Sequence, residues 1–373
     1  MTRTLVITND FPPRQGGIQS YVHALASRQP AHSVVVFAPA WQGAAAFDAN
    51  LDFPVVRHRT GLILPTPAIA ARVGALAREY GCDRAWFGAA APLALLSPTL
   101  RDNGIERVVA STHGHETGWV RLPIARQLLR RIATRVDVVT YISEFTRKLL
   151  QPVMAEAATM CHLPPGVDVD AFHPDIDGIP IRRSLGLGVE VPVVVCVSRM
   201  VARKGQDVLI RAWPQVRAEV TGAVLLLVGS GPDEQRLRAL AKRVRAAGVH
   251  FVGGVSAADI PSYYAAGDVF AMPCRTRRGG LDVEGLGMVY LEAAACGRPV
   301  VAGTSGGAPE AVRDGETGLI VGDPRSPASV AGSILKLLLD RDQAKAMGLA
   351  GRSWVEAEWS WNSLAARLGD LLD

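Results

Sequence analysis

No apolar run in the chain approaches the roughly 18 residues that a membrane-spanning helix needs, so nothing in it reads as a transmembrane segment. Cysteine is scarce. Cys82, Cys161, Cys196, Cys274 and Cys296 are scattered, odd in number and without C-x-x-C spacing. That pattern excludes a zinc cage and a disulfide framework and suits reduced thiols in a cytosolic protein. A convincing Asp-x-Asp loop is also missing, so no bound catalytic metal is expected. The net charge of +5 invites a nucleic-acid reading. Its arginines, however, show no aromatic interleaving, helix-turn-helix or zinc-finger spacing, so nucleic acid is not expected as a partner. The opening residues, Met1 to Asp10, read as a short apolar strand meeting an acid rather than as a secretory signal.

What is present is an ordinary globular composition, 49% hydrophobic and 20% charged, which argues against disorder. At 373 residues the chain has room for two domains. Short apolar runs at 4–8, 34–38, 55–58, 84–87, 108–112 and 138–142 alternate with helical stretches, the pattern of a βαβ domain with a buried parallel sheet. Near Leu163 the texture turns to Pro-Pro-Gly-Val-Asp and then to a Gly/Pro-rich stretch ending at Pro180, the best linker candidate. A second alternating series follows, with strands expected at 193–197, 224–228, 250–252, 269–272, 300–302 and 319–321. The fold class predicted is therefore α/β with two Rossmann-like domains, 1–172 and 173–355, and the ligand expected in the cleft between them. The amphipathic segment 356–373 is expected to cross back to the first domain.

The chemistry concentrates in two stretches. Glu284-Gly-Leu-Gly-Met-Val-Tyr-Leu-Glu292 sets two carboxylates around a Gly-x-Gly turn and a probable helix start. Upstream, Ser198-Arg-Met-Val-Ala-Arg-Lys-Gly-Gln-Asp207 leaves a strong strand carrying three cations, of which Arg203 is expected to be exposed. A helix start and cations suit a phosphate, and carboxylates accept hydrogen bonds from sugar hydroxyls. Sugar-nucleotide chemistry is thus the leading reading. A glycosidase is a poorer one: eight helical steps cover roughly 12 Å, against roughly 5–9.5 Å between glycosidase carboxylates. The loop Phe11 to Gly17 follows the first strand without G-x-G-x-x-G spacing, which counts against a dinucleotide dehydrogenase.

Together these residues resemble the retaining glycosyltransferases of family 4, of GT-B architecture. Five motifs carry the resemblance in order: Gly16-Gly17; the Gly-Val-Asp…Phe-x-Pro segment within Leu163–Pro174; Arg199 with Lys204; Glu284 and Glu292 as E-x7-E; and Gly306-Gly-Ala-Pro-Glu310. Ser111–Glu116 and Arg275–Gly287 further resemble the actinobacterial phosphatidylinositol mannosyltransferases, most closely those acting on the monomannoside.

The resemblance implies a GDP-mannose donor, a phosphatidylinositol mannoside acceptor with a probable α-1,6 linkage to inositol, and no cofactor. Arg199 and Lys204 would hold and stabilise the departing diphosphate. Glu284 would bind the transferred sugar and Glu292 the ribose. Gly285 and Gly287 would let backbone approach the ligand, with amides of Leu286, Met288 and Val289 near the phosphates. Gly16 and Gly17 would contact donor phosphate or acceptor. His113, with His115 a weaker second, would lie against the donor sugar. Val255, in His250–Ser256, would sit near the base. Ala257 stands where a related mannosyltransferase pattern has an acid, so these residues leave guanine and uracil both open. Gly306 and Gly307 would shape the cleft wall.

A peripheral position on an anionic membrane, at the inner face of the plasma membrane, is expected from the basic segment Arg121–Lys148. There Arg126, Arg130 and Arg131 lie off the apolar stripe Ile124, Leu128, Leu129, Ile132 and Val136. The helix around Ala68–Tyr80 is another candidate. The alternatives left open are a related family 4 enzyme with another nucleotide sugar or a soluble acceptor, and a non-catalytic basic binding protein.

Overall fold

The computed structural model describes every residue except Met1, Gln15, His115 and Thr117, and at Arg121 the backbone alone. The chain divides into two compact units, Met1–Gly166 with Trp361–Asp373, and Val167–Ser360.

Unit 1 holds seven strands: β1 (Thr4–Ile7), β2 (Val34–Pro39), β3 (Val55–His58), β4 (Arg84–Phe87), β5 (Arg107–Ser111), β6 (Val138–Tyr141) and β7 (Thr159–His162). They pair in parallel in the order β3-β2-β1-β4-β5-β6-β7. The central strands are runs of β-branched and aliphatic residues because helices cover both faces of the sheet, leaving no solvent side for a polar alternation. Leu5, Val6 and Ile7 are completely buried. Unit 2 repeats the plan with β8 (Val193–Val197), β9 (Val224–Val228), β10 (Val249–Gly253), β11 (Val269–Met272), β12 (Val300–Ala302) and β13 (Gly318–Ile320). Their order is β10-β9-β8-β11-β12-β13.

In each sheet the winding direction reverses beside the first strand, between β1 and β4 and between β8 and β11. Loops leaving the carboxyl ends of strands at such a switch point part to opposite faces and open a crevice. The sequence motifs fall on those loops. Gly16-Gly17 follows β1, Arg199 and Lys204 follow β8, and Glu284 lies beyond β11.

The helix Trp361–Leu372 belongs to unit 1, where Leu364, Leu368 and Leu372 join Val6, Tyr21, Val22 and Leu25 in one core. At about 1.5–3 kcal/mol for each buried leucine, that stripe accounts for the docking. Backbone carbonyls near the helix end are also engaged: Gln29 Nε2 donates to Ala365 O at 3.0 Å and Arg107 Nε to Leu371 O at 3.0 Å.

One strand was not anticipated. β7, Thr-Met-Cys-His, is an edge strand with an exposed first residue and part-buried followers. It lacks the continuous apolar run that marked the others.

Candidate active site

In unit 2, β8 delivers its chain to a crowded corner. Ser198 Oγ accepts from Gln206 Nε2 at 2.9 Å, and Arg199 O accepts from the same nitrogen at 3.1 Å, which folds the 198–206 loop back on itself. Residues Ala202–Lys204 make one 3-10 turn before the helix Gln206–Glu219. The loop leaving β11 is stitched to this one. Arg275 N donates to Arg203 O at 2.8 Å, and the Arg275 guanidinium grips Asp207 with one nitrogen at 2.8 and 2.9 Å from the two carboxylate oxygens.

This stitching brings Lys204 and Glu284 together. Both are buried, at 9% and 7% exposure, and Lys204 Nζ lies 2.8 Å from Glu284 Oε2. Arg203 joins them, with Nε 3.4 Å from Glu284 and Nη1 3.4 Å from Asp282. The expectation of an exposed Arg203 is therefore corrected: its side chain is only 24% exposed. The reason is the return of the β11 loop, which brings two carboxylates over it. Asp282 is held by Arg203 and, at 3.5 Å, by Arg277, so its charge is answered by guanidinium. Arg199, in contrast, is exposed, and among the described residues its side chain makes no ion pair or hydrogen bond.

Glu284 is fixed by its backbone as well. Its N–H donates to Ser305 Oγ at 3.0 Å, and its carbonyl accepts from Gly307 N at 3.0 Å. Gly306 has a φ of +56°, and a Cβ there would stand 2.0 Å from Glu284 O. The late Gly-Gly loop thus clamps the Glu284 backbone from behind.

After Glu284 the chain turns through Gly285, Leu286 and Gly287 into the helix Met288–Ala295. Gly287 sits at φ +89°, where a Cβ would meet the Tyr290 ring at 2.5 Å, so only glycine lets this helix begin so close to the sheet. Leu286 is buried, while Gly285, Met288 and Val289 are part-buried. The amides of Met288 and Val289 open the helix and have no intrahelical acceptor, so they can face an anion.

Glu292 lies about one turn along the helix, part-buried, and accepts the phenol proton of Tyr264 at 2.7 Å. Burial pushes its carboxyl above the ordinary range; the Tyr264 hydrogen bond and the Lys204 charge pull the other way. Val255 follows β10, part-buried against the unit 2 core.

The unit 1 residues form their own group. Gly16 is extended and precedes the helix Gly17–Ala26, and no atom would crowd a Cβ on Gly17 within 4 Å. His113 leaves β5 and reaches the end of β4, with Nε2 2.6 Å from Gly88 O, so Nε2 carries the proton. Its backbone N–H donates to the buried Glu116 Oε2 at 3.0 Å, and its ring meets Tyr21 edge-on with centroids 4.8 Å apart. With Nε2 engaged as a donor, that nitrogen is not a base. His115 lies outside the described residues.

Among the described residues no three His, Cys, Asp or Glu side chains gather in a metal-sized cluster. The arrangement can neutralise a polyanion, accept hydroxyl hydrogen bonds at two carboxylates and present free helix amides. Sequence reasoning did not anticipate Arg203, Asp282, Ser305 or Tyr264 at this site. Tyr264 stands in a stretch with no local signature, so only the fold reveals it, whereas Ser305 directly precedes the Gly306–Glu310 motif, which could have pointed to it.

Comparison with known proteins meets this geometry from outside. Residues 15–171 match the family model described as Glycosyltransferase Family 4, and residues 191–340 match Glycosyl transferases group 1. A GDP-mannose-dependent alpha-(1-6)-phosphatidylinositol monomannoside mannosyltransferase of Mycobacterium tuberculosis is 52% identical, over 100% of this chain and 98% of the relative. The GDP-mannose-dependent monoacylated alpha-(1-6)-phosphatidylinositol monomannoside mannosyltransferase of Corynebacterium glutamicum is 50% identical over 99% and 97%. In fold, the chain is similar to the sucrose-phosphate synthase of Thermosynechococcus elongatus, with a TM-score of 0.74 and 24% identity over 99% and 98% of the two chains. With two Rossmann-like sheets and 50–52% identity to such enzymes over nearly the full length, the chain belongs to the family 4 glycosyltransferases of GT-B architecture.

Proposed function

We propose that this enzyme transfers mannose from GDP-mannose to phosphatidylinositol monomannoside, with retention at the anomeric carbon and an α-1,6 linkage to inositol. The observation that carries the reading is the buried contact of Lys204 with Glu284 at the carboxyl end of the unit 2 sheet. It sits in a chain 52% identical throughout to an enzyme named for this reaction.

The chemistry assigned to the site is positioning plus electrostatics. Arg199, Lys204 and the amides of Leu286, Met288 and Val289 bind the diphosphate, with Gly285 and Gly287 allowing the close backbone approach and Val255 near the base. Glu284 accepts hydrogen bonds from mannose hydroxyls and Glu292 from the ribose. Gly16 and Gly17 contribute phosphate contact, and His113 lies against the sugar. The bond from mannose C1 to the phosphate oxygen breaks, and its electron pair stays with that oxygen. The acceptor oxygen bonds C1 on the same face, and its proton passes to the departing phosphate. Negative charge grows on the diphosphate as it leaves, so its cations and amides stabilise the transition state more than the ground state.

Membrane association by the 122–130 segment is part of the proposal. Ile124 was grouped with the apolar stripe of its helix, yet it is 81% exposed, and Leu122 is 60% exposed. Leu129 and Ile132, further along, are completely buried. Exposed Arg126 and Arg130 flank the two free apolar side chains. Apolar tips among arginines suit an anionic lipid surface, each nearby cation contributing about 1 kcal/mol. Such contact would keep the enzyme peripheral at the cytoplasmic face, where a lipid acceptor lies. No helix among the described residues is long and apolar enough to cross a membrane.

The test is transfer of labelled mannose from GDP-mannose to phosphatidylinositol and, separately, to its monomannoside, with UDP-glucose as donor control. Transfer to the monomannoside alone is expected. Turnover of UDP-glucose without GDP-mannose activity would overturn the donor assignment, and transfer to unmannosylated lipid would overturn the acceptor.

A further inference from the structure

We infer that unit 2 carries a second anion site, fitted to a phosphate monoester, at the edge of its sheet opposite the donor residues. A cavity of about 200 Å³ opens there, lined among others by Pro192, Asp268, Arg298, Leu338, Arg341 and Lys345. Pro192 precedes β8, Asp268 precedes β11 and Arg298 lies just before β12, so the cavity sits at the amino ends of these strands. Arg199, Lys204 and Glu284 all lie beyond their carboxyl ends.

Arg298 is the residue that asks for a ligand. Its Nε is buried without a hydrogen-bond partner. Among the described residues its guanidinium makes no ion pair or side-chain hydrogen bond, and burial lowers its pKa. A part-desolvated guanidinium with no ion-pair partner is costly, and proteins normally pair such a group. Asp268 favours the charged form of Arg298 without pairing with it. Asp268 is committed to Arg182 at 3.0 Å and to Val193 N at 2.7 Å through the same oxygen.

Two further cations face the cavity from the first turns of the helix Arg341–Trp354. Lys345 is exposed, and Arg341 has only a 3.9 Å approach to Glu190, with both side chains largely in solvent. Three cations against one neutralised carboxylate leave a net positive recess. A doubly charged phosphate monoester would supply charge-assisted hydrogen bonds to all three. The cavity is smaller than the roughly 300 Å³ at which drug-sized pockets begin, so inorganic phosphate or a hexose phosphate fits better than a nucleotide. Gly297 and Arg298 follow the helix Met288–Ala295 after Cys296, and the same helix begins with the proposed donor amides and carries Glu292 at its middle, so one element links the two sites.

Titration calorimetry on the full chain tests this with inorganic phosphate, with glucose 6-phosphate and with vesicles containing phosphatidic acid. The variants are Arg298→Leu and the doubly substituted Arg341→Ala with Lys345→Ala. With saturating GDP keeping the donor residues occupied, affinity for phosphate or glucose 6-phosphate should fall about tenfold or more in both cavity variants. If Arg298→Leu does not fold, the double variant, altered only at exposed residues, decides alone. Wild-type affinity in a folded cavity variant overturns the inference. So does the absence of binding of every probe to the wild-type chain. Vesicle binding that alone responds to the cavity variants would assign the site to a lipid headgroup, and response to glucose 6-phosphate alone to a soluble ester. None of these readouts requires sugar transfer, so they stand or fall apart from the proposed reaction.

Discussion

Tyr264 donates its phenol proton to Glu292 across 2.7 Å, joining the short helix Ile260–Ala266 to the helix Met288–Ala295. The tyrosine is completely buried, and the hydrogen bond is one of the few influences pulling the Glu292 carboxyl down against desolvation. It therefore holds Glu292 in place and favours its charged form against the effect of burial.

Removing that phenol should make the carboxyl harder to ionise. In Tyr264→Phe the acid limb of GDP affinity, followed by calorimetry at stepped pH, should move to higher pH than in wild type. Stability carries the opposite sign. The folded state holds the Glu292 proton more tightly than the unfolded chain does, so its contribution is full at low pH and is lost as pH rises through the raised value. An unmoved acid limb would show that Glu292 does not titrate with donor binding.

Lys204 meets a buried carboxylate on one side and, in the proposed complex, a diphosphate on the other. Lys204→Ala should lower kcat/KM for GDP-mannose by about 10²–10³-fold, the usual effect of losing one charge-stabilising donor. Glu284 keeps Arg203 at 3.4 Å, so a folded variant is expected. Circular dichroism melting alongside initial rates separates the effects; a rate loss below tenfold in a folded protein would remove Lys204 from the site.

The clamp behind Glu284 predicts an effect at a residue that touches no substrate in the proposal. Gly306→Ala adds a Cβ at positive φ against Glu284 O. Strain of about 1–3 kcal/mol follows, and displacement of Glu284 by a fraction of an ångström should cut kcat about tenfold or more. A moderate drop in Tm with wild-type kcat would mean that Glu284 position is set elsewhere.

Ile124→Ser with Leu122→Ser should weaken binding to phosphatidylinositol-containing vesicles in a flotation assay without changing Tm, because both side chains are already exposed. Arg126→Glu with Arg130→Glu should weaken it further and abolish its salt sensitivity. Unaltered flotation in both pairs would leave the membrane contact to another surface, such as the helix Pro67–Glu79.

Much of the architecture was legible because parallel strands buried on both faces must be apolar throughout, and runs such as Val193–Val197 and Val224–Val228 permit little else. The edge strand β7 was not legible for the same reason: its residues meet solvent, and no pattern is imposed on them. Glycines at Gly287 and Gly306 stood out because backbone at positive φ restricts what can stand there. The charged loop after β8 and the Glu284–Glu292 segment could be read as donor-site candidates from local composition and resemblance.

Which charges actually meet was decided by tertiary structure. Arg203 looked like a solvated cation until the β11 loop folded two carboxylates over it. Tyr264 and Ser305 were ordinary residues until the sheet order carried them beside Glu292 and Glu284. Ile124 belonged to an apolar stripe by period alone, yet the core reaches only as far as Leu129, and it was left in solvent. Periodicity and composition act through neighbours along the chain, so the sequence by itself determined the strands, the helices and the glycine turns. Ion pairing and desolvation act through space, so only the folded sheet decided which of its charged groups would be buried together and which, like Arg298, would be left part-buried with Nε unpartnered.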